Sequence, residues 1–573
     1  VSRAGRAAAA LSALGAAALV AGGLALGAVA APVGGAAGAP GAAPTGRGGA
    51  VGVPVPASGA QLVCPGAPVP VTGGEAGARR GTPPAVTSGA VGLVVASGAP
   101  VLSGQPLVQR PTTDADPAPS ASPGSSEGAP PAAAATTLGD LQRVDADAAA
   151  ASAGSAAALS SGPVDGRAPL LAGAATSVAA TGDLRGLSTP ACTAPQEQSW
   201  LVGGGTGAGR STRLVLADVA QTPTTVDVTV LTAQGAQQPP SLQGLSLGPG
   251  EQRSVLLEGA LEGTADTSGG GASGAGSPLA VQVRSSAGPV AAWLVEQVLH
   301  GLVPGGTEVV GPAAAPATSL VVPGVAATGT QPAVLRLANP GTDPVVARFA
   351  VVGASGSSVP AGTAPATAVP PQSVVDVPLP GLPAGGVALS VEADGPVLAG
   401  VRTDTAPSAD GTQPGDLAWT AAAPPLTGAT LVALPPAAKQ GRQGAGGSGT
   451  TPDVRLVLSS RGPSQVDVAV VGADGRTSPA RRVELPASTT TAADVDDLAR
   501  AAGATGTPVA LLLTPVAPST GPGKDDDGAG QVVAALTARV AAPAGGGGDL
   551  VSAAPVGGGA AAPSSVSVVL TGP

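Results

Sequence analysis

The chain predicts an all-β protein of tandem immunoglobulin-like β-sandwich modules behind an N-terminal transmembrane helix or signal segment, and three observations carry that expectation. A Leu-x-Leu strand returns at a fixed interval: Leu214-Val215-Leu216, Leu335-Arg336-Leu337 and Leu456-Val457-Leu458 begin 121 residues apart each time. Each is followed by a polar turn and an alternating run: Val226-Asp227-Val228-Thr229-Val230, Ala347-Arg348-Phe349-Ala350-Val351 and Val466-Asp467-Val468-Ala469-Val470. Successive side chains on a strand point to opposite faces, so Val226, Val228 and Val230 share one face while Asp227 and Thr229 share the other, as a half-buried antiparallel strand requires. Finally, the 89 Gly and 61 Pro of the 573 residues cluster between valine-rich runs, where turns belong, and 43% hydrophobic content with 11% charge is far from the disordered signature.

Each repeat opens on an apolar strand: Trp200-Leu201-Val202-Gly203, Leu320-Val321-Val322-Pro323 and Leu431-Val432-Ala433-Leu434. Hairpins with Gly-centred turns are expected at Gly288-Pro289-Val290, Gly395-Pro396-Val397 and Gly530-Gln531-Val532, and closing strands at 307–310, 416–419 and 549–551. With the middle strands this makes about seven strands in roughly 110 residues, the count of an immunoglobulin-like sandwich. A β-propeller blade is shorter, about 40–45 residues, and no finer repeat is present. One Phe, three Trp and no Tyr or Met leave Val, Leu and Ala to fill thin cores. The expected layout is a signal or anchor segment at 1–33, a disulfide-stapled β domain at 34–197 with a disordered insertion at about 111–137, modules at 198–314, 315–425 and 426–556, and a tail at 557–573.

Arg3 and Arg6 precede an uncharged stretch from Ala7 to about Val33. Positive residues before an apolar segment hold that end in the cytoplasm, so the rest of the chain is expected outside it. Its length suits a retained anchor, whereas Ala28-Val29-Ala30 suits cleavage of a signal peptide, and both readings stand. In an oxidising compartment Cys64 and Cys192, the only two cysteines, are expected to form a disulfide. Two buried free thiols are the alternative.

A net charge of −10 and a pI near 4.7 disfavour nucleic acid, because the sequence offers no basic face to neutralise phosphates and no aromatic platform on which to stack bases. The run Lys524-Asp525-Asp526-Asp527-Gly528 lacks the alternation of a calcium loop and reads as a solvated charge cluster. His300, the single histidine, has no nucleophile motif to serve, and zinc would need more ligands. Gly203-Gly204-Gly205-Thr206-Gly207 lacks the lysine of a phosphate loop and reads as a Gly-rich turn. Trp200, Trp293 and Trp419 lie at module edges, where core packing is expected in preference to a sugar platform. No catalytic, cofactor-binding or metal-ligating residue is expected.

The Arg-flanked apolar start, Cys64-Pro65-Gly66, Gly182-Asp183-Leu184-Arg185-Gly186-Leu187 leading to Cys192, Trp200-Leu201-Val202-Gly203-Gly204 and Leu337-Ala338-Asn339-Pro340-Gly341 together resemble an exported, membrane-anchored actinobacterial family of unknown function, DUF5719. The turn after the repeated strand is not uniform, being Asp218-Val219 in the first module and Ser459-Ser460 in the third. Genes of that family accompany a large membrane glycosyltransferase, so the resemblance implies a role at the cell envelope and such an enzyme as partner. The expectation is a non-enzymatic extracytoplasmic cell-envelope protein, on the membrane or secreted after cleavage near Ala30, acting as a scaffold or partner-binding stalk. A carbohydrate-binding or processing accessory to cell-wall polymer synthesis is the alternative.

Overall fold

The computed structural model describes residues 50–54, 58–69, 86–97, 99–109, 133–146, 154–261, 277–327, 333–383, 385–405, 413–438, 450–516, 531–541, 547–557 and 565–569. The expected anchor, the cleavage site at Ala30 and the Lys524 to Gly528 run lie outside them. Among the described residues no helix is long and apolar enough to cross a membrane. The fold is nearly all strand and divides into two compact units, Val55–Ser564 and the two chain ends. In the latter, Ala50–Pro54 pairs antiparallel with Ser565–Val569, so the stretch read as a tail contains a strand.

The three repeats have one architecture. In chain order, module one has strands Gln198–Thr206, Arg210–Asp218, Thr224–Thr232, Glu251–Leu256, Ser277–Ser286, Val290–His300 and Val303–Val310. Numbered one to seven, they lie in the order 1-5-3 in one sheet and 4-2-6-7 in the other. Module two repeats this with Ala317–Ala327, Ala333–Asn339, Val345–Gly353, Ser373–Leu379, the two halves of Gly385–Asp404, and Leu417–Ala421. In module three the strands are Thr430–Ala433, Asp453–Ser460, Ser464–Gly472, Thr489–Asp494, Pro508–Val516, Val532–Val540 and Leu550–Pro555.

The repeated Leu-x-Leu is strand two each time, and its leucines enter the three main cores. The alternating run is strand three: Val226, Val228 and Val230 are buried, and Asp227 is exposed. Asn339 shows how the polar turn is held, since its side-chain amide donates to the carbonyls of Asp343 and Val369 and its Oδ1 accepts from Gly341 N.

Two local expectations are corrected. The segments around Gly288 and Gly395 are not hairpins, because strand five pairs with strands one and three while strand six pairs with two and seven of the opposite sheet. In module two a single 20-residue strand, Gly385–Asp404, runs through that corner. A Cβ at Gly395 would come within 2.7 Å of Val345 Cγ2, so the corner needs a residue without a side chain. Gly530 lies outside the described residues. Gly203 to Thr206 is likewise not a turn but the end of strand one, continued across a β-bulge between Val202 and Gly205, with Gly204 at φ +77°.

Ahead of the modules lies a fourth β unit of two sheets, ordered Gly186–Ser188, Leu171–Ala179, Thr87–Val95, Leu141–Asp145, Thr136–Leu138 and Ala60–Cys64, Ala157–Ser161, Leu102–Pro106, Ala133–Ala134. Part of the expected insertion is therefore ordered. Ala133–Ala134 and Thr136–Leu138 are edge strands, anchored by pairing with Ser103–Gly104 and Leu141–Arg143. Cys64 and Cys192 are bonded to each other inside the core between these sheets.

The four units close on one another. Val63, Leu107 and Ala156 of the leading unit meet Val215, Ala217, Ala291 and Trp293 of module one. Trp200, Val202 and Leu231 of module one meet Ala338, Val374 and Leu398 of module two. Val321, Val352 and Ala388 of module two meet Val533 of module three. Leu431, Ala433 and Val471 of module three return to Val91, Leu93 and Ala174 of the leading unit.

Candidate functional site

Closure brings four strands together at one junction: Gly186–Ser188 from the leading unit and the seventh strand of each module. Two buried acids lie there. Glu308 Oε1 accepts from Ser188 Oγ of the leading unit (2.7 Å), from Ser552 Oγ of module three (3.2 Å) and from Val309 N (2.9 Å). Asp416 of module two accepts from Leu187 N (3.0 Å) and Val551 N (2.9 Å) through Oδ2, and from Leu417 N (2.9 Å) through Oδ1. Arg185 donates to the carbonyls of Gly415 and Gly548, tying the leading unit to modules two and three. Gly186 allows the close approach, since a Cβ there would sit 2.6 Å from Thr307 O.

Burial pushes both carboxyls up. Glu308 lies well above the usual carboxylate range, with the neighbouring Asp416 raising it further and the Ser188, Ser552 and Val309 donors opposing. Glu308 Oε2 has no hydrogen-bond partner among the described residues, which fits a neutral acid better than a carboxylate. Asp416 is raised to about 8 by burial, against three backbone N–H groups and Arg185. Burial likewise lowers the Arg185 guanidinium.

A second buried cluster crosses the seam between modules one and two. Glu296 is fully buried, paired with Arg210 through Oε1, and accepts from Trp419 Nε1 at 2.5 Å through Oε2. Arg336 makes a two-pronged pair with Asp376 (2.8 and 2.9 Å), donates to the carbonyls of Leu279 (3.0 Å) and Gly204, and lies 4.6 Å from the centre of the Trp419 ring. Here burial raises Glu296 and Asp376, but the guanidinium groups of Arg210, Arg336 and Arg402 outweigh it and both carboxyls fall below their ordinary range.

The two clusters have opposite pH signatures. Burial lets Asp416 keep its proton up to about pH 8 and Glu308 keep one well above the usual carboxylate range, whereas the unfolded chain releases both above about pH 4, so their contribution is full below about pH 4 and declines as pH rises towards their folded values. Glu296 and Asp376 contribute above the ordinary carboxylate range and lose that contribution as pH falls below it. The thermal midpoint is therefore expected to be highest in mild acid and to decline towards pH 9. Glu308→Gln, which cannot ionise, should flatten the alkaline limb in a melting series, and an unchanged slope would contradict this assignment.

The residues singled out by sequence take modest places. His300 is exposed at the end of its strand. All three tryptophans are buried, Trp200 and Trp293 at seams and Trp419 in the core of module one. Among the described residues no group of three His, Cys, Asp or Glu side chains could hold a metal ion. Sequence reasoning missed Glu296, Glu308, Asp416, Arg185, Arg210 and Arg336. For Glu296, Glu308 and Arg336 the available signal was a charged residue inside a largely apolar strand, a costly choice unless a partner is waiting, whereas Arg185 and Asp416 directly precede their strands and Arg210 opens one beside Ser211 and Thr212.

Arg185, Glu308 and Asp416 each bond to another unit, so the arrangement joins rather than exposes. No curated protein matches the chain. One family does, described as a family of unknown function (DUF5719), over residues 146–444, a span that reaches from the leading unit through Arg185, Glu308 and Asp416 into the start of module three. The chain belongs to that family.

Proposed function

We propose that the protein is a non-enzymatic, extracytoplasmic scaffold of the cell envelope, held at or released from the membrane by its first 33 residues. The observation that carries this reading is the junction itself. Arg185, Glu308 and Asp416 join four units, and buried polar groups that bond across seams favour one fixed arrangement over a flexible string. Such a body presents its outer strands in constant relation to one another, which suits docking of an envelope protein such as a membrane glycosyltransferase. It replaces the extended stalk with a closed platform.

We also read the modules as immunoglobulin-like sandwiches with an altered strand order. An immunoglobulin constant domain runs 1-2-5-4 and 3-6-7, whereas here strand one borders five and strand six borders two. Seven strands in two facing sheets support the likeness.

A reporter active only in the cytoplasm, fused after Pro573, is expected to be silent. Mild detergent extraction and affinity purification should then recover the chain with a defined envelope protein. Reporter activity would reverse the topology, and recovery of the chain alone after crosslinking would remove the scaffold role.

A further inference from the structure

A cleft of about 290 Å³ opens between the leading unit and module one. Its floor is a sheet face. Register places Gln61 opposite Ser160, Ser160 opposite Ser103, and Ala158 opposite Gln105, so these side chains emerge on one side of the sheet, while Leu62, Cys64 and Leu159 pack into the core on the other. The wall comes from two turns of module one, around Gln221 and Pro249.

The lining has a definite chemistry. Gln61, Gln105 and Gln221 each offer an amide with two donors and an acceptor oxygen, and none of the three amides has a hydrogen-bond partner among the described residues. Ser160 shares a hydroxyl contact of 2.8 Å with Ser103. Pro106, Val219 and Pro249 add apolar surface, and among the described residues no charged side chain lines the cleft. An anion would find no counter-charge on a chain of net charge −10, and a cation would find no carboxylate. Gln61, Gln105 and Gln221 are exposed at the cleft, and a purely apolar ligand would forgo all three amides. An extended peptide would use a free strand edge for backbone pairing, but the floor residues Ala158 and Ser160 lie on a strand already paired on both sides.

We propose that this cleft binds a short segment of a neutral glycan, whose hydroxyls both donate and accept and whose C–H faces can rest on the proline and valine surface. The inference goes beyond the scaffold reading and does not depend on it. The volume is at the small end for ligand sites and there is no aromatic platform, so a single segment is held weakly, with Kd on the order of 1 mM, and a polymer is the appropriate probe.

The test is native electrophoresis of the purified full chain through gels cast with neutral glucan, galactan or mannan, beside gels containing anionic polygalacturonate or no polymer. The expected result is retardation by at least one neutral polymer and none by polygalacturonate. Gln61→Ala combined with Gln221→Ala should weaken it at least tenfold, and Ser160→Trp, which fills the floor, should abolish it, with melting curves of the double variant matching the parent. Absence of retardation in every neutral gel, equal retardation of the double variant, or retention on immobilised short uncharged peptides instead of glycan would overturn the proposal. A folded, partner-binding protein that fails in every neutral gel would sink the cleft and leave the scaffold reading intact.

Discussion

Glu296→Ala is expected to destabilise the folded chain by about 3–5 kcal/mol, the cost of breaking a buried pair from one side. The substitution leaves Arg210 charged and 6% exposed, and it removes the acceptor of the Trp419 indole N–H. Because Trp419 belongs to module two but packs in the core of module one, the loss falls on both modules together. Removing both charges, as in Glu296→Leu with Arg210→Met, should cost less than Glu296→Ala, since no unpaired ion then remains. Urea midpoints of the three proteins decide the matter, and a loss below about 1 kcal/mol for Glu296→Ala would show that water reaches the site.

Deleting the disulfide, as Cys64→Ala with Cys192→Ala, is expected to cost about 5 kcal/mol in the chain-entropy account, because it closes a separation of 128 residues. The bond is reinforced by local pairing: Cys192 N donates to Gly173 O at 2.8 Å, and Val63 and Thr193 exchange backbone bonds of 2.8 and 2.9 Å. The alanine pair should melt at a lower temperature than the oxidised parent, and reductant should lower the parent towards it while leaving the variant unchanged. A parent indifferent to reductant at equilibrium would mean that the strand contacts alone close the leading unit.

Much of the fold was legible because strand patterning is local. Leu214, Leu335 and Leu456 mark the same strand in three modules, and the two-residue period of Val226 to Val230 states which face is buried. The sheet assignment of strands five and six was not legible, since Gly288 and Gly395 suit a hairpin and a crossing equally well. Nor was the closure of the four units. Arg336 sits mid-strand between two core leucines and would be read as solvent-facing, yet it is fully buried because that face meets module one. Glu308 and Asp416 begin or lie in segments already recognised as closing strands, but their partners Ser188, Leu187, Val551 and Ser552 are too remote in sequence for any local pattern to connect. For the same reason, residues 198–312 excised alone would lack Leu417 and Trp419 from their core.

The junction also sets an order of events in time. Arg185 and its acceptor at Gly548 are 363 residues apart, and the apolar face of Val91, Leu93 and Ala174 is covered by Leu431, Ala433, Val471 and Ala510 of module three. At synthesis rates of about 5–20 residues per second, that face waits on the order of tens of seconds for its cover. Until then the nascent leading unit carries an unfinished apolar flank, the kind of surface that invites aggregation. The last module made is thus what finishes the first, and a chain arrested before residue 430 would emerge with its oldest part still in need of a chaperone.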